Sequence, residues 1–180
     1  MADLPVFRYH PDPVASGSVA HSSAVCACCG EARGYLYTGP VYSEMELDDA
    51  LCPWCIADGS AHARFDATFV DSEAFDESAT DAQIVLITQR TPGFAAWQSE
   101  RWLSCCEEPA AFVGPLGYAE IQANYLRLEG SLMSNIVYEL GVSGGAATRL
   151  MQSLKRDASP TAFAFRCVHC ETLLGYVDQT

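Results

Sequence analysis

At 180 residues, 49% of them hydrophobic and 18% charged, the chain is long enough to bury a core and too apolar to be disordered. Its formal net charge of −13, from 23 acidic and 10 basic side chains, repels phosphate backbones and anionic bilayers, which disfavours nucleic acid and lipid surfaces as partners and leaves a basic protein surface open. No apolar run approaches the roughly 20 residues that span a bilayer, and Met1-Ala-Asp-Leu-Pro5 lacks the basic and apolar regions of a signal peptide, so the cytosol is the expected compartment.

In chain order, Tyr9-His10-Pro11-Asp12-Pro13 reads as extended, because a residue before proline is pushed out of the helical region. Residues 15–24 are small and polar, a loop. Cys26-Ala-Cys-Cys29-Gly30 is a tight turn, and Gly34–Thr38 is rich in strand formers. Ser43 followed by Glu46 reads as a capping box that opens a short helix through Leu51. Cys52-Pro-Trp-Cys55 then falls in the first turn of another helix, where the missing N–H of Pro53 costs nothing. Residues 66–83 are acidic with little apolar periodicity, a surface connection.

Ile84-Val-Leu-Ile-Thr88 is a short β-branched run and predicts a buried strand. After the turn Arg90-Thr-Pro-Gly93, the spacing of Phe94, Trp97, Arg101 and Trp102 predicts an amphipathic helix with Cys105-Cys106 at its end. Ala111–Val113 predicts a strand that stops at Gly114-Pro115. Ile121, Tyr125, Leu128, Leu132, Ile136 and Leu140 recur at helical spacing, with Gly130-Ser131 as a possible division, and a further helix covers Ala146–Lys155. The alternation of Phe163, Phe165, Leu174, Tyr176 and Val177 predicts a hairpin with Cys167-Val-His-Cys170 at its tip. The whole reads as α+β: one family domain over 1–180, with a zinc module in residues 22–66 packed on a mixed region in residues 84–180 and the hairpin folded back onto Cys105-Cys106.

Nine cysteines in a reducing compartment argue against a disulfide scaffold and leave metal binding, redox chemistry or buried thiols. Zinc takes four thiolates in a tetrahedron, and each C-x-x-C turn supplies one edge of it. Cys26 with Cys29, and Cys52 with Cys55, form two such turns at zinc-finger separation. Four buried thiols, or a redox disulfide at Cys52-Pro-Trp-Cys55, are the alternatives. The second reading lacks the βαβ context that such a motif needs. Cys167 and Cys170 begin a second site; Cys105, Cys106 and His169 are the candidates to complete it, Cys106 first, because adjacent cysteines reach one ion only with an unusual backbone. Three protein ligands there would leave the open position that a catalytic zinc uses.

Tyr9-His-Pro-Asp-Pro13, Cys26-x-x-Cys29-Gly30, Arg33-Gly-Tyr35, Tyr37-Thr-Gly-Pro40, Leu51-Cys-Pro-Trp-Cys-Ile-Ala-Asp-Gly-Ser60 and Arg90-Thr-Pro-Gly93 resemble the CbrC family over almost the whole chain. Trp97-Gln98, Trp102-Leu103, Phe112-Val-Gly114 and Cys167-x-x-Cys170 fit as well. The resemblance implies a bacterial protein and a link to colicin tolerance, with little mechanism attached. It also implies a His-Cys pair followed closely by a further cysteine, where this chain has Cys105-Cys106 and Ala110.

Other polar residues have ordinary readings beside functional ones. Asp58, Ser60 and His62 follow the second cysteine pair; capping by Asp58 or Ser60 explains two of them. Arg90, Trp97, Gln98 and Trp102 could line a pocket, the arginine holding an anion and the tryptophans forming a wall. An aromatic core edge is the alternative. His10 and His21 read as loop histidines, and the carboxylates at 48–49 and 107–108 as solvated surface. No phosphate loop, nucleophile elbow or H-E-x-x-H is present. Two functions follow, a zinc-stabilised interaction protein in a stress or bacteriocin response, or a zinc-dependent hydrolase working at an incompletely coordinated second metal; redox switching through Cys28 or Cys105 is a third variant.

Overall fold

The computed structural model describes residues 3–180; Met1 and Ala2, at the start of the segment read above for a signal, lie outside it. The architecture is α+β, with helices distributed around three small antiparallel sheets. The first sheet pairs β1 (Val19–His21) with β2 (Tyr35–Tyr37), and the Cys26–Cys29 turn lies in the connection between them. Two short helices follow, α1 (Pro53–Ala57) and α2 (Ser60–Phe65). Cys52 is the N-cap of α1 and Pro53 its first residue, as the sequence predicts. Asp58 accepts the Ser60 N–H at 2.8 Å and so serves the start of α2. Leu36, Leu51, Ile56, Ala61 and Phe69 pack into one apolar cluster that includes Cys26, Cys52 and Cys55.

Three predicted elements are corrected. The Ser43–Leu51 helix is absent, because the Ser43 hydroxyl donates to the Phe65 carbonyl and accepts the Met45 N–H, closing a local turn instead. Ile84–Thr88 is helical, inside α3 (Asp81–Arg90). Its capping box is Thr80 with Gln83, a signal stronger than β-branching. Ile87 and Thr88 are buried while Val85 and Leu86 face solvent, which is one helical face rather than a strand buried on both sides. Phe94–Leu103 is not a helix: its N–H groups go to distant partners, Trp97 to the Asp178 carboxylate at 2.6 Å, Arg101 to the Tyr176 hydroxyl at 3.2 Å and Trp102 to the Ala74 carbonyl at 2.8 Å.

A two-strand hairpin, β3 (Ser104–Cys105) with β4 (Glu108–Pro109), leads into β5 (Ala111–Leu116). β5 continues through Gly114-Pro115, where the sequence predicts a stop. A register shift between Phe112 and Gly114 forms a bulge, and β5 lies at the sheet edge, where proline is tolerated. β6 (Thr161–Arg166) and β7 (Leu173–Asp178) are the predicted C-terminal hairpin and complete the order β5-β6-β7.

The apolar stripe is helical but segmented: α4 (Tyr118–Asn124), a 3-10 turn at Leu126–Leu128, α5 (Glu129–Ser134) and a π turn at Asn135–Glu139. The break comes at Tyr125, with φ −131°, ahead of Gly130-Ser131. α6 (Gly144–Ser153) closes the helical part.

Strand alternation divides the larger core. Ala162, Ala164 and Val177 meet Ile121, Leu128, Leu132 and Ile136 on one side. Phe163, Phe165 and Tyr176 meet Tyr9, Phe94, Trp102 and Phe112 on the other. Gly175 lets the helices lie directly on the sheet, since a Cβ there would sit 3.0 Å from Leu128 and Leu132 side-chain carbons. Among the described residues, no helix is long and apolar enough to cross a membrane.

Candidate metal centres

The four sulfurs of Cys26, Cys29, Cys52 and Cys55 converge, all within 4.8 Å of one another. Individual separations are 3.5 Å for Cys52–Cys55, 3.9 Å for Cys29–Cys52 and 4.0 Å for Cys26–Cys55. A tetrahedral zinc with Zn–S bonds near 2.3 Å spaces its sulfurs by about 3.8 Å, so this donor set fits that ion. The turn that presents Cys26 and Cys29 is closed by Gly30 N–H to the Cys26 carbonyl at 2.8 Å and by Cys26 N–H to the Glu31 carbonyl at 3.0 Å. Gly30 takes φ +73°, which only glycine adopts without strain. The Cys26 sulfur accepts the N–H groups of Cys28 at 3.4 Å and Cys52 at 3.2 Å, orienting it toward the other three.

The ionisation of this set needs a cation. Burial pushes Cys52 up to about 11, with Cys26 adding to it, and Cys55 further up, with Cys52 and Cys26 adding to it. Burial also acts on Cys26, but the backbone N–H groups of Cys29, Cys52 and Cys28 outweigh it and bring that thiol down to about 7. Four thiolates this close repel one another strongly, and a divalent metal removes that repulsion.

The second group, Cys105, Cys106, Cys167 and Cys170, converges in the same way. Cys105–Cys106 and Cys105–Cys170 are 3.8 Å apart and Cys106–Cys170 is 3.7 Å. Its Cys167–Cys170 turn repeats the first almost bond for bond: Glu171 N–H to the Cys167 carbonyl at 3.2 Å, Cys167 N–H to the Thr172 carbonyl at 2.9 Å, and His169 N–H to the Cys167 sulfur at 3.4 Å. Adjacent cysteines reach one point because Cys106 and Glu107, at φ +56° and +60°, form the two-residue tip of the β3–β4 hairpin. The Thr172 hydroxyl brings Cys170 down to about 6, while burial and the nearby sulfurs push Cys105 up to about 12.

His169, one of the candidates to complete this group, turns away from it. Its Nε2 lies 2.5 Å from a Glu108 carboxylate oxygen. Glu108 is buried, not solvated surface, and its other oxygen accepts from Arg8 Nη2 at 2.7 Å and the Tyr9 hydroxyl at 2.8 Å. Burial pushes Glu108 up, and the Tyr9, Arg8 and His169 contacts more than reverse it, leaving a carboxylate below its ordinary range. This network ties the β3–β4 hairpin to the Cys167–Cys170 turn; the sequence signal for it was Tyr9 within its Pro-rich motif. Ala110 is fully buried, its carbonyl accepting the Trp102 indole N–H at 2.9 Å.

Arg90, Trp97, Gln98 and Trp102 do not share a pocket. Arg90 donates to the Ala57 carbonyl at 3.0 Å, and Trp102 is a core residue 2% exposed, stacked on Phe75. Trp97 and Gln98 border two different cavities. His62 contacts the Ala67 carbonyl at 3.1 Å, and Cys28 stands outside the first group with its thiol toward Ser60. His10 lies in a loop, as expected, but is fully buried with both ring nitrogens engaged.

The α+β frame thus carries two sets of four convergent sulfurs, each of which could hold a metal ion. The chain belongs to the uncharacterised protein family UPF0167, whose model matches residues 4–179. It is 45% identical to a UPF0167 protein of Pseudomonas aeruginosa over 169 residues, covering 93% of this chain and 92% of that one. It is 42% identical over 176 residues to UPF0167 proteins of Mycobacterium bovis and Mycobacterium tuberculosis, covering 97% of this chain and 93% of each. No solved structure matches it.

Proposed function

We propose that this chain is a two-zinc protein in which both ions are structural, and that its role is interaction with another protein rather than catalysis at a metal. The observation that supports this most is that each group supplies four sulfurs at tetrahedral spacing. Soft thiolates select zinc among the common divalent ions, and four of them leave no coordination position for water or substrate. A hydrolase working at the second metal needs such a position, so that reading is the weaker one. Cys26, Cys29, Cys52 and Cys55 hold the first ion, and Cys105, Cys106, Cys167 and Cys170 the second.

Metal analysis with X-ray absorption at the zinc edge tests this. Two zinc ions per chain, each in an all-sulfur shell near 2.3 Å, are expected. An oxygen or nitrogen ligand at one of them would favour the hydrolase instead, and absence of zinc would remove both readings. The biological setting, a bacterial stress or bacteriocin response in the cytosol, rests on the resemblance to the CbrC family. It is tested by deleting the gene in its bacterial host and scoring survival under a DNA-cleaving bacteriocin. Loss of tolerance, restored by the wild type and not by Cys52→Ala, supports it; unchanged survival overturns it.

A further inference from the structure

We infer that Ser16 and His10 form a nucleophile–base pair for acyl transfer, with Ser16 in the wall of a cavity of about 350 Å³ that takes a small carboxylic ester or thioester and His10 buried behind it. The pair uses neither cysteine group, so it stands or falls independently of the zinc reading.

The chemistry follows from His10. Its Nδ1 lies 2.6 Å from the Pro92 carbonyl oxygen, which can only accept, so Nδ1 carries the ring proton. Nε2 therefore presents its lone pair, and Ser16 Oγ, 2.7 Å away, donates to it. The imidazole is held edge-on against Phe112 at 5.0 Å. Burial keeps it neutral, lowering its pKa to about 4. A nucleophile, a base and a group that fixes the base's tautomer are the three parts of an activated serine, here with a backbone carbonyl as the third.

Ser16 is also placed for the task. Its N–H donates to the Asp12 carbonyl at 3.1 Å, and Gly17 follows at φ +89°, turning the chain sharply. Its hydroxyl has two other acceptors, the Pro13 carbonyl at 3.1 Å and the Ser18 hydroxyl at 3.4 Å, both longer contacts than that to His10. Ser16 lines the cavity together with Phe94, Trp97, Phe163 and Arg156. The aromatic rings give an apolar wall for the body of a substrate. Arg156 donates to the carbonyl of Ala15, the residue before the nucleophile. Its nearest carboxylate, Asp157, is 3.9 Å away and 89% exposed, a weak partner that leaves the guanidinium available for negative charge in the cavity.

In the step, Ser16 Oγ bonds to the acyl carbon as its proton passes to His10 Nε2, and the carbonyl oxygen takes the negative charge near Arg156. Collapse breaks the bond to the alcohol or thiol, which leaves with the proton from His10. Water repeats the sequence on the acyl-serine, so that ester and water give acid and alcohol. A base this weakly basic makes turnover slow, and covalent labelling is the sharper test.

The folded protein, purified without chelator, is treated with an alkyl fluorophosphonate, in which serine oxygen displaces fluoride at phosphorus, and adducts are mapped by peptide mass. The expected result is one adduct, on Ser16, absent in Ser16→Ala and formed about 100-fold more slowly in His10→Gln. No adduct on Ser16, or an equal rate in a folded His10→Gln, overturns the proposal. If His10→Gln unfolds, Arg156→Gln decides, because that side chain is partly exposed: labelling slowed tenfold or more at an unchanged Tm supports the dyad, and an unchanged rate overturns it. p-Nitrophenyl acetate, with a stoichiometric burst of nitrophenol lost in Ser16→Ala, reports the same step on a carbon ester.

Discussion

The two cysteine groups share one turn and differ in what surrounds it. Cys26, Cys52 and Cys55 are buried and only Cys29 is at the surface, whereas Cys167 alone is buried in the second group and Cys106 and Cys170 are exposed. Around the first group the regular structure is slight: two strands of three residues and helices of five and six. Helices and hairpins that short do not persist in water by themselves. The second group lies at the tips of two hairpins, the separate β3–β4 pair and β6–β7, the latter part of a three-stranded sheet with an apolar core on both faces. The same donor set therefore has two physical roles. On the proposed reading, the first ion joins short elements within the apolar cluster of Leu36, Leu51, Ile56 and Phe69, and the second pins hairpin tips beside a sheet that carries its own core.

The widest separation between the two should come from removing one ligand at a time. Cys52→Ala is expected to lose its zinc and unfold residues 19–70, since structural zinc contributes about 10–16 kcal/mol, as much as the whole stability of a typical domain. Metal content and circular dichroism read this directly, and a folded, zinc-free Cys52→Ala protein would falsify the claim that zinc organises this region. Cys170→Ser should be milder: the hairpin tips loosen while β5, β6 and β7 persist, at a cost of about 2 kcal/mol or less, a fall in Tm of roughly 4–8 °C or less. If Cys170→Ser unfolds as completely as Cys52→Ala, the contrast between the two regions is wrong.

Exposure should also order the release of the metals in the unmodified protein. A chromogenic chelator is expected to strip zinc in two phases, the second group at least tenfold faster, about 1.4 kcal/mol in barrier. Iodoacetamide should modify Cys106 and Cys170 in the fast phase. A single phase for both ions would mean that the buried group opens as readily as the exposed one.

How far the sequence reveals these sites depends on how local their signals are. The first group is legible because its four ligands come as two C-x-x-C pairs, and α1 because Pro53 and Cys52 mark its start. The second group is only half legible. Cys105 and Cys106 join it through a hairpin whose tip places Cys106 and Glu107 at positive φ, conformations that the residue types themselves disfavour. Hairpin pairing imposes them, and no propensity rule anticipates that. Glu108 reads as surface because a charged pair usually is; its burial depends on Arg8, Tyr9 and His169, about 100 residues away on one side and 61 on the other. The helix that spacing predicts over Phe94–Leu103 does not form for the same reason, its N–H groups being claimed by β7 and by Ala74. The His10–Ser16 contact is local, six residues apart, but it is formed by a turn that nothing in the polar loop 15–24 marks except Gly17.

The finest test of the comparison lies within the shared turn. The residue after each C-x-x-C donates its N–H to the first cysteine's carbonyl at positive φ: Gly30 at +73° and Glu171 at +58°. Glycine enters that region freely, whereas an L-residue carries a penalty of about 1–2 kcal/mol. Gly30→Ala should therefore destabilise the first region by about 1 kcal/mol, steric contact playing no part because nothing lies within 4 Å of the added Cβ. Glu171→Gly should act in the opposite direction, up to about 1 kcal/mol in favour of the second turn, offset by the greater freedom of glycine in the unfolded chain. Denaturant midpoints at equal m-values measure both. Opposite signs would show that the two turns are one device, relaxed at the first metal and strained at the second; equal losses would mean that Glu171 supports its turn through a side-chain contact outweighing its backbone cost.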